Sequence, residues 1–400
     1  MKKILTLLLV LVMALSLVAC GGSETAETKA AGENAAAETA EYKVAMVTDY
    51  GDITDQSFNQ TTWEACVKFG EDNGVETKYY KPTSNDTAGR VASVELAIAE
   101  GYNVIVMPGY AFGGTIVECA SNYPDVKFIA LDVAAGDLLE TAVANKGEQY
   151  DYNPANWVLE DYVDMSNVYC AIYQEELAGY MAGYAAVKLG YTKLGFLGGM
   201  AVPAVQRYGY GFVQGANAAA VELGTPIEIK YTYGGQFYGD ANITAKMDAW
   251  YAEGTELVFA CGGGIYTSAV EAAFNYNKMV VGVDVDQYKS VGVKNIKENG
   301  WAYNPFVTSA VKGLQAATEA ALAKVFDGTW EEIGGKMEVK NLLGGDFVGI
   351  PTDEVSWCFK TFTIEEYNKL VDAIRAGQIV ISDALEAPTV DANVTVNYID

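Results

Sequence analysis

The chain contains no histidine. That absence removes the commonest general base near neutral pH, the Ser–His–Asp arrangement and most zinc sites. Positive charge is scarce: 26 Lys and Arg face 52 Asp and Glu, for a formal charge of −26. A surface so acidic repels nucleic acid and anionic lipid. The six cysteines, Cys20, Cys66, Cys119, Cys170, Cys261 and Cys358, are widely spaced and form no C-x-x-C pair. This argues against zinc and iron–sulfur chemistry. Cys66, Cys119, Cys170 and Cys261 lie in apolar runs and read as buried thiols, while disulfides stay open because the chain reads as exported. No metal and no cofactor is expected.

What is present begins with an address. Lys2 and Lys3 precede an apolar run from Ile4 to Ala19, the layout of a secretory signal. The run is too short for a comfortable membrane span. It ends Leu17-Val18-Ala19-Cys20-Gly21, which resembles a bacterial lipobox, with Cys20 lipidated (a palmitate-type anchor) and residues 1–19 removed. The plainer alternative is an ordinary signal with cleavage nearby. Residues 20–41 are rich in Ala, Glu and Thr without apolar period and read as a flexible tether.

The rest is organised around Val44–Asn59, VAMVTDYGDITDQSFN. A short apolar run, a turn-rich loop and a helix start at Phe58, with Ser57 as its N-cap, bring polar side chains to the carboxyl end of a sheet. Ligands bind there in open α/β folds. From Val44 onward the pattern alternates short apolar runs with amphipathic segments. Strands are expected at Val44–Thr48, Glu76–Lys81, Val104–Met107 and Phe128–Leu131, with helices near Phe58–Phe69, Ala88–Ala99 and Thr115–Asn122. Ala134–Met165 reads as a long surface excursion. A second series places strands at Val168–Ile172, Lys193–Leu197, Ile227–Tyr231, Leu257–Ala260 and Val280–Val283. Its helices are Glu175–Leu189, Val202–Leu223, Asn242–Glu253 and Tyr266–Asn275. The tail suggests a long helix near Val307–Phe326, strand-like pieces around Met337–Leu343 and a last amphipathic helix at Ile364–Ala376.

Two βα series in tandem predict an α/β protein of two Rossmann-like lobes with parallel sheets joined by a hinge. The first lobe is expected at 42–167, completed by about 289–328, and the second at 168–288, completed by about 329–400.

Several residues invite sharper readings. Asp49, Asp52 and Asp55 do not have the spacing of a calcium loop, and turn formation or helix capping suits Asp52 and Asp55 better. Gly262–Gly264 lacks both nucleotide-loop signatures and also fits a tight βα turn. Phe58 fits either a core position or an aromatic face at a site. Asp132 and Asp284 end corresponding strands of the two series, where carboxylates accept from hydroxyl or ring N–H groups.

The chain resembles the basic membrane protein family of substrate-binding lipoproteins, whose characterised members bind purine nucleosides for ABC importers. The resemblance rests on the lipobox and on VTDYGDITDQSFNQTTWEA, FIALDV, LAGYMAGYAA, GFLGGMAVPAVQRYGYGFVQGA, FACGGG, VVGVDVDQ, VTSAVK and GGDFVGI, in that order. It implies a periplasmic-binding-protein-like (type I) fold with three hinge strands, closing on ligand. By the same resemblance, Phe58 stacks on the base and Asn59 hydrogen-bonds it. Asp49 and Asp132 end strands at the site, and Tyr208 stands where the family usually has Phe. Gly262 and Gly263 bring backbone to the ligand, Asp284 holds sugar hydroxyls, and Lys312 completes the set. Ala134–Met165 and Tyr288–Pro305 are longer than the family pattern.

The function implied is capture of a nucleoside by a monomer anchored on the outer face of a bacterial cell membrane, for delivery to the permease subunits of an ABC transporter. A sugar- or signal-binding receptor of the same fold is the alternative. A nucleoside hydrolase or phosphorylase is disfavoured by the missing histidine and metal motif.

Overall fold

The computed structural model describes residues 42–399. Cys20 and the tether lie outside the described residues. The first sheet collects β1 (Val44–Val47), β2 (Thr77–Tyr80), β3 (Val104–Pro108), β4 (Lys127–Leu131) and β5 (Val168–Tyr173). The second collects β6 (Lys193–Gly198), β7 (Ile227–Tyr233), β8 (Leu257–Cys261), β9 (Met279–Asp284) and β10 (Phe306–Lys312). β11 (Met337–Lys340) returns to the first sheet, while β12 (Val348–Gly349) and β13 (Val394–Tyr398) join the second. The orders are β11-β5-β4-β3-β1-β2 and β12-β10-β9-β8-β6-β7-β13, parallel throughout except for β12 against β10.

Both sheets follow one logic. Their central strands are unbroken apolar runs, buried on both faces because helices cover both sides. In the first sheet β1 lies between β3 and β2; in the second β6 lies between β8 and β7. Each sheet therefore reverses strand order beside its first strand, and the loops after β1, β3, β6 and β8 open into a crevice there.

Strand membership differs from the expected lobe boundaries. Val168–Tyr173 pairs with β4 in the first sheet, not in the second lobe. Phe306–Lys312 pairs with β9 in the second sheet, not with the first lobe. Apolar runs at 168 and 306 announce strands, but a neighbour in sequence does not name a neighbour in a sheet. The chain passes between the lobes after β5, after β10 and between β11 and β12.

Local readings change too. Ala134–Met165 begins with helix Ala135–Asn145, whose Leu138, Leu139, Ala142 and Val143 form a buried stripe. That stripe spans less than two turns and is interrupted by acids such as Asp137 and Glu140, so the excursion proper starts only after Asn145. The long helix expected at Val307–Phe326 is β10 followed by helix Leu314–Phe326, with Gly313 as the break.

Helices Glu175–Lys188 and Pro203–Leu223 pack backbone against backbone. A Cβ added to Gly179 would lie 2.1 Å from the Tyr208 carbonyl oxygen, and one on Gly215 would lie 1.9 Å from that of Tyr180. LAGYMAGYAA is thus a packing motif, with small residues one turn apart allowing close approach. Of the cysteines, Cys66, Cys119, Cys170 and Cys261 are buried and Cys358 is exposed, all unpaired.

Candidate functional site

A cleft of about 700 Å³ lies between the carboxyl ends of the two sheets. Asp49, Phe58, Asn59, Asp132, Tyr208, Gly262, Gly263, Asp284 and Lys312 all line it. The structure thus gathers every sequence-derived candidate among the described residues around one space.

Its floor is a buried charge cluster. Lys312, the last residue of β10, donates to Asp132, which follows β4. The same ammonium lies 3.6 Å from Glu175 Oε1 and 3.6 Å from Asp284 Oδ1. Glu175 in turn accepts from Arg207 Nε at 2.7 Å. Burial alone would push the Lys312 ammonium down, but Asp132, Asp284 and Glu175 outweigh it and hold it above its usual range. Burial pushes the Asp132 carboxyl up to about 7; Lys312 opposes the shift and Glu175 adds to it. One Asp132 oxygen is buried without a hydrogen-bond partner among the described residues. The strand-end carboxylates also share a backbone oddity: φ is +59° at Asp132 and +65° at Asp284. Non-glycine residues hold that left-handed conformation only when their surroundings enforce it, and such residues cluster at functional sites.

The helix start at Phe58 is not capped as the sequence suggests. Ser57 occupies the N-cap position without a side-chain cap bond, because its hydroxyl donates to Asp284 Oδ2 at 2.5 Å. Asp55 takes over, accepting from the backbone N–H groups of Ser57, Asn59 and Gln60 at 2.9–3.1 Å. Burial raises Asp55 to about 6 against these bonds. The Asn59 amide nitrogen donates to both Asp49 and Asp55 at 3.1 Å. Its oxygen is buried and unpartnered among the described residues.

The aromatic faces are unequal. Phe58 is half-buried, with its ring centroid 4.7 Å from the Lys312 ammonium. Tyr208 is 1% exposed and packs edge-on against Phe259, so little of its face is free. Phe237, which follows β7, is more open than Tyr208 and also lines the cleft from the second lobe. It rests on a glycine bed: Cβ atoms on Gly199 and Gly262 would meet its ring at 2.5 and 2.8 Å. Gly262 and Gly263 also have φ of +137° and +50°. Their glycines are required by this turn and by the ring above it. Tyr110, after β3, approaches Phe237 across the cleft at 6.5 Å between centroids.

Sequence reading missed Phe237, Tyr110, Arg207 and Glu175. The glycine–aromatic turn GGQFYG after a strand marks Phe237, and an acid opening an otherwise apolar helix marks Glu175. Neither signal is strong without the fold.

Two parallel α/β lobes, three crossings and a polar, ring-lined crevice between them define the type I periplasmic-binding-protein fold. Solved structures agree: a solute-binding protein of an ABC transporter system from Aeropyrum pernix superposes with a TM-score of 0.61 at 18% identity, covering 85% of this chain and 87% of the other. One from Conexibacter woesei gives 0.61 at 20%, covering 86% and 99%. Residues 42–383 match the family model described as ABC transporter substrate-binding protein PnrA-like. The chain belongs to this family of ABC transporter substrate-binding proteins. Its relatives include the ABC transporter nucleoside-binding protein BmpA of Lactococcus lactis, 27% identical over 319 residues, spanning 76% of this chain and 80% of that protein. Basic membrane protein B of Borreliella burgdorferi is 24% identical over 316 residues, spanning 77% and 80%. A small-molecule ligand and permease partners follow from the family, as does consistency with a membrane-anchored, extracytoplasmic place, since relatives from Pyrococcus are named lipoproteins.

Proposed function

We propose that the cleft captures a nucleoside, with a purine base between aromatic faces and the sugar over the charged floor, and hands it to an ABC permease without altering it. The observation that supports this most is the meeting of Phe58 with the Lys312–Asp132–Asp284 cluster at the cleft floor, where the two lobes come together. A ring offers a planar base a stacking face; carboxylates and an ammonium offer a diol both acceptors and donors. The name of BmpA points the same way. In this reading Asp284 takes the sugar hydroxyls, Asp49 and Asn59 meet the base, and Gly262 and Gly263 let backbone close on the ligand. The carrier acts as a monomer held to the membrane through a lipid on Cys20.

A thermal-shift screen of residues 42–400 against nucleosides, free bases and sugars tests it. A ligand at 100 times its Kd adds about 2.7 kcal/mol of stability. Nucleosides should give that shift. Stabilisation by hexoses or pentoses alone would favour the sugar-receptor alternative.

A further inference from the structure

The nucleoside reading leaves the base itself open, and two side chains not assigned above bear on it. Arg207 lines the cleft from helix Pro203–Leu223. Its Nε is committed to Glu175, and neither terminal nitrogen has a hydrogen-bond partner among the described residues. Burial would lower its proton affinity, but Glu175 more than restores it, so the guanidinium stays charged. Asp137 lines the cleft from the first turn of helix Ala135–Asn145. One carboxylate oxygen accepts from Ala134 N at 2.8 Å; the other has no partner among the described residues. The two side chains come from opposite lobes and feel each other: Arg207 partly offsets the burial that raises Asp137 to about 6. Yet they form no ion pair. The cleft therefore presents, from its two walls, a free donor pair and a free acceptor.

The geometry points to a preference for 6-oxopurine nucleosides, inosine and guanosine, over adenosine; this rests on the nucleoside reading. A 6-oxopurine offers acceptors at O6 and N7, which suit the guanidinium fork, and a donor at N1–H, which suits the carboxylate. Adenine reverses the edge. Its 6-amino group would point a donor at Arg207, and its N1 lone pair would face the Asp137 carboxylate. One side chain of this kind discriminates between bases by about tenfold to a hundredfold.

Calorimetry with inosine, guanosine, adenosine and 1-methylinosine tests the assignment. Wild-type protein should bind inosine and guanosine at least tenfold more tightly than adenosine. Methylation of N1 should cost inosine a similar factor. Asp137→Asn keeps an oxygen for Ala134 and turns an amide donor toward the ligand, so it should weaken inosine while leaving adenosine unchanged or tighter. A loss of cap or fold alone would weaken all ligands together, and that result would overturn the proposal. So would equal wild-type binding of adenosine and inosine, or full binding of 1-methylinosine, with the nucleoside reading left standing. Binding of no nucleoside would overturn both.

Discussion

Ser57 and Asp284 join the two lobes: the Ser57 hydroxyl of the first donates to the Asp284 carboxylate of the second at 2.5 Å, in a buried setting. A second tie runs beside it, from Gln287 Nε2 to the Gln56 carbonyl at 3.0 Å. The carboxylate assigned to ligand hydroxyls is therefore also a latch. Hydrogen bonds to charged groups are worth about 1.5–3 kcal/mol. Ser57→Ala should weaken ligand binding by about tenfold or somewhat more, chiefly through a faster off-rate, as measured by stopped-flow and calorimetry.

Phe58→Ala removes the half-buried ring beside Lys312. Stacking of a base on an aromatic side chain is worth about 1–3 kcal/mol, so affinity for every nucleoside should fall about tenfold to a hundredfold. Tyr208→Leu, which removes the second ring, should change the affinity of the folded protein much less, because Tyr208 is 1% exposed. Titration calorimetry of both variants decides between the rings.

Gly215→Ala should destabilise the fold without touching the cleft. The new Cβ would sit 1.9 Å from the Tyr180 carbonyl oxygen, and backbone on both sides leaves no flexible side chain to yield. Overpacking of this kind costs about 1–3 kcal/mol or more. Urea denaturation should show a lower midpoint, with ligand affinity of the folded fraction unchanged.

Stability should fall as pH rises. Burial raises Asp132 to about 7, Asp55 and Asp137 each to about 6, and Glu176 to about 7, all above their unfolded values. A raised carboxyl binds protons more readily in the folded state. Its contribution is complete below the unfolded value near 4 and is lost as pH climbs through the folded one. The acids that shift downward are mostly exposed and screened, so they counter this weakly. Ligand-free protein should melt at a higher temperature at pH 5 than at pH 8, and Asp132→Asn should shrink that difference.

Much of this architecture is legible in the chain. Fully apolar runs such as Val104–Pro108 announce buried parallel strands, and Asp132 and Asp284 stand where those strands end. Which sheet each strand joins is not legible, because pairing is decided by the crossings and not by local pattern; β5 and β10 are the instances. Ser57 has the residue type of a cap, yet its partner lies 227 residues away, and only the packing of the two lobes against each other brings them together. Phe237 escapes for the same reason: its glycine bed comes from Gly199 and Gly262 on two other loops.

A cleft that holds a base by stacking and a sugar by Asp284 should lose the sugar's contribution when that carboxylate is removed. Calorimetry of wild-type protein and Asp284→Ala with a purine riboside and the matching free base tests this most directly. Because the substitution also breaks the Ser57 latch, it should weaken both ligands, and weaken the riboside by about tenfold or more beyond the loss seen for the free base. Wild-type protein that binds a simple hexose or pentose tightly and ignores every nucleoside would contradict the account.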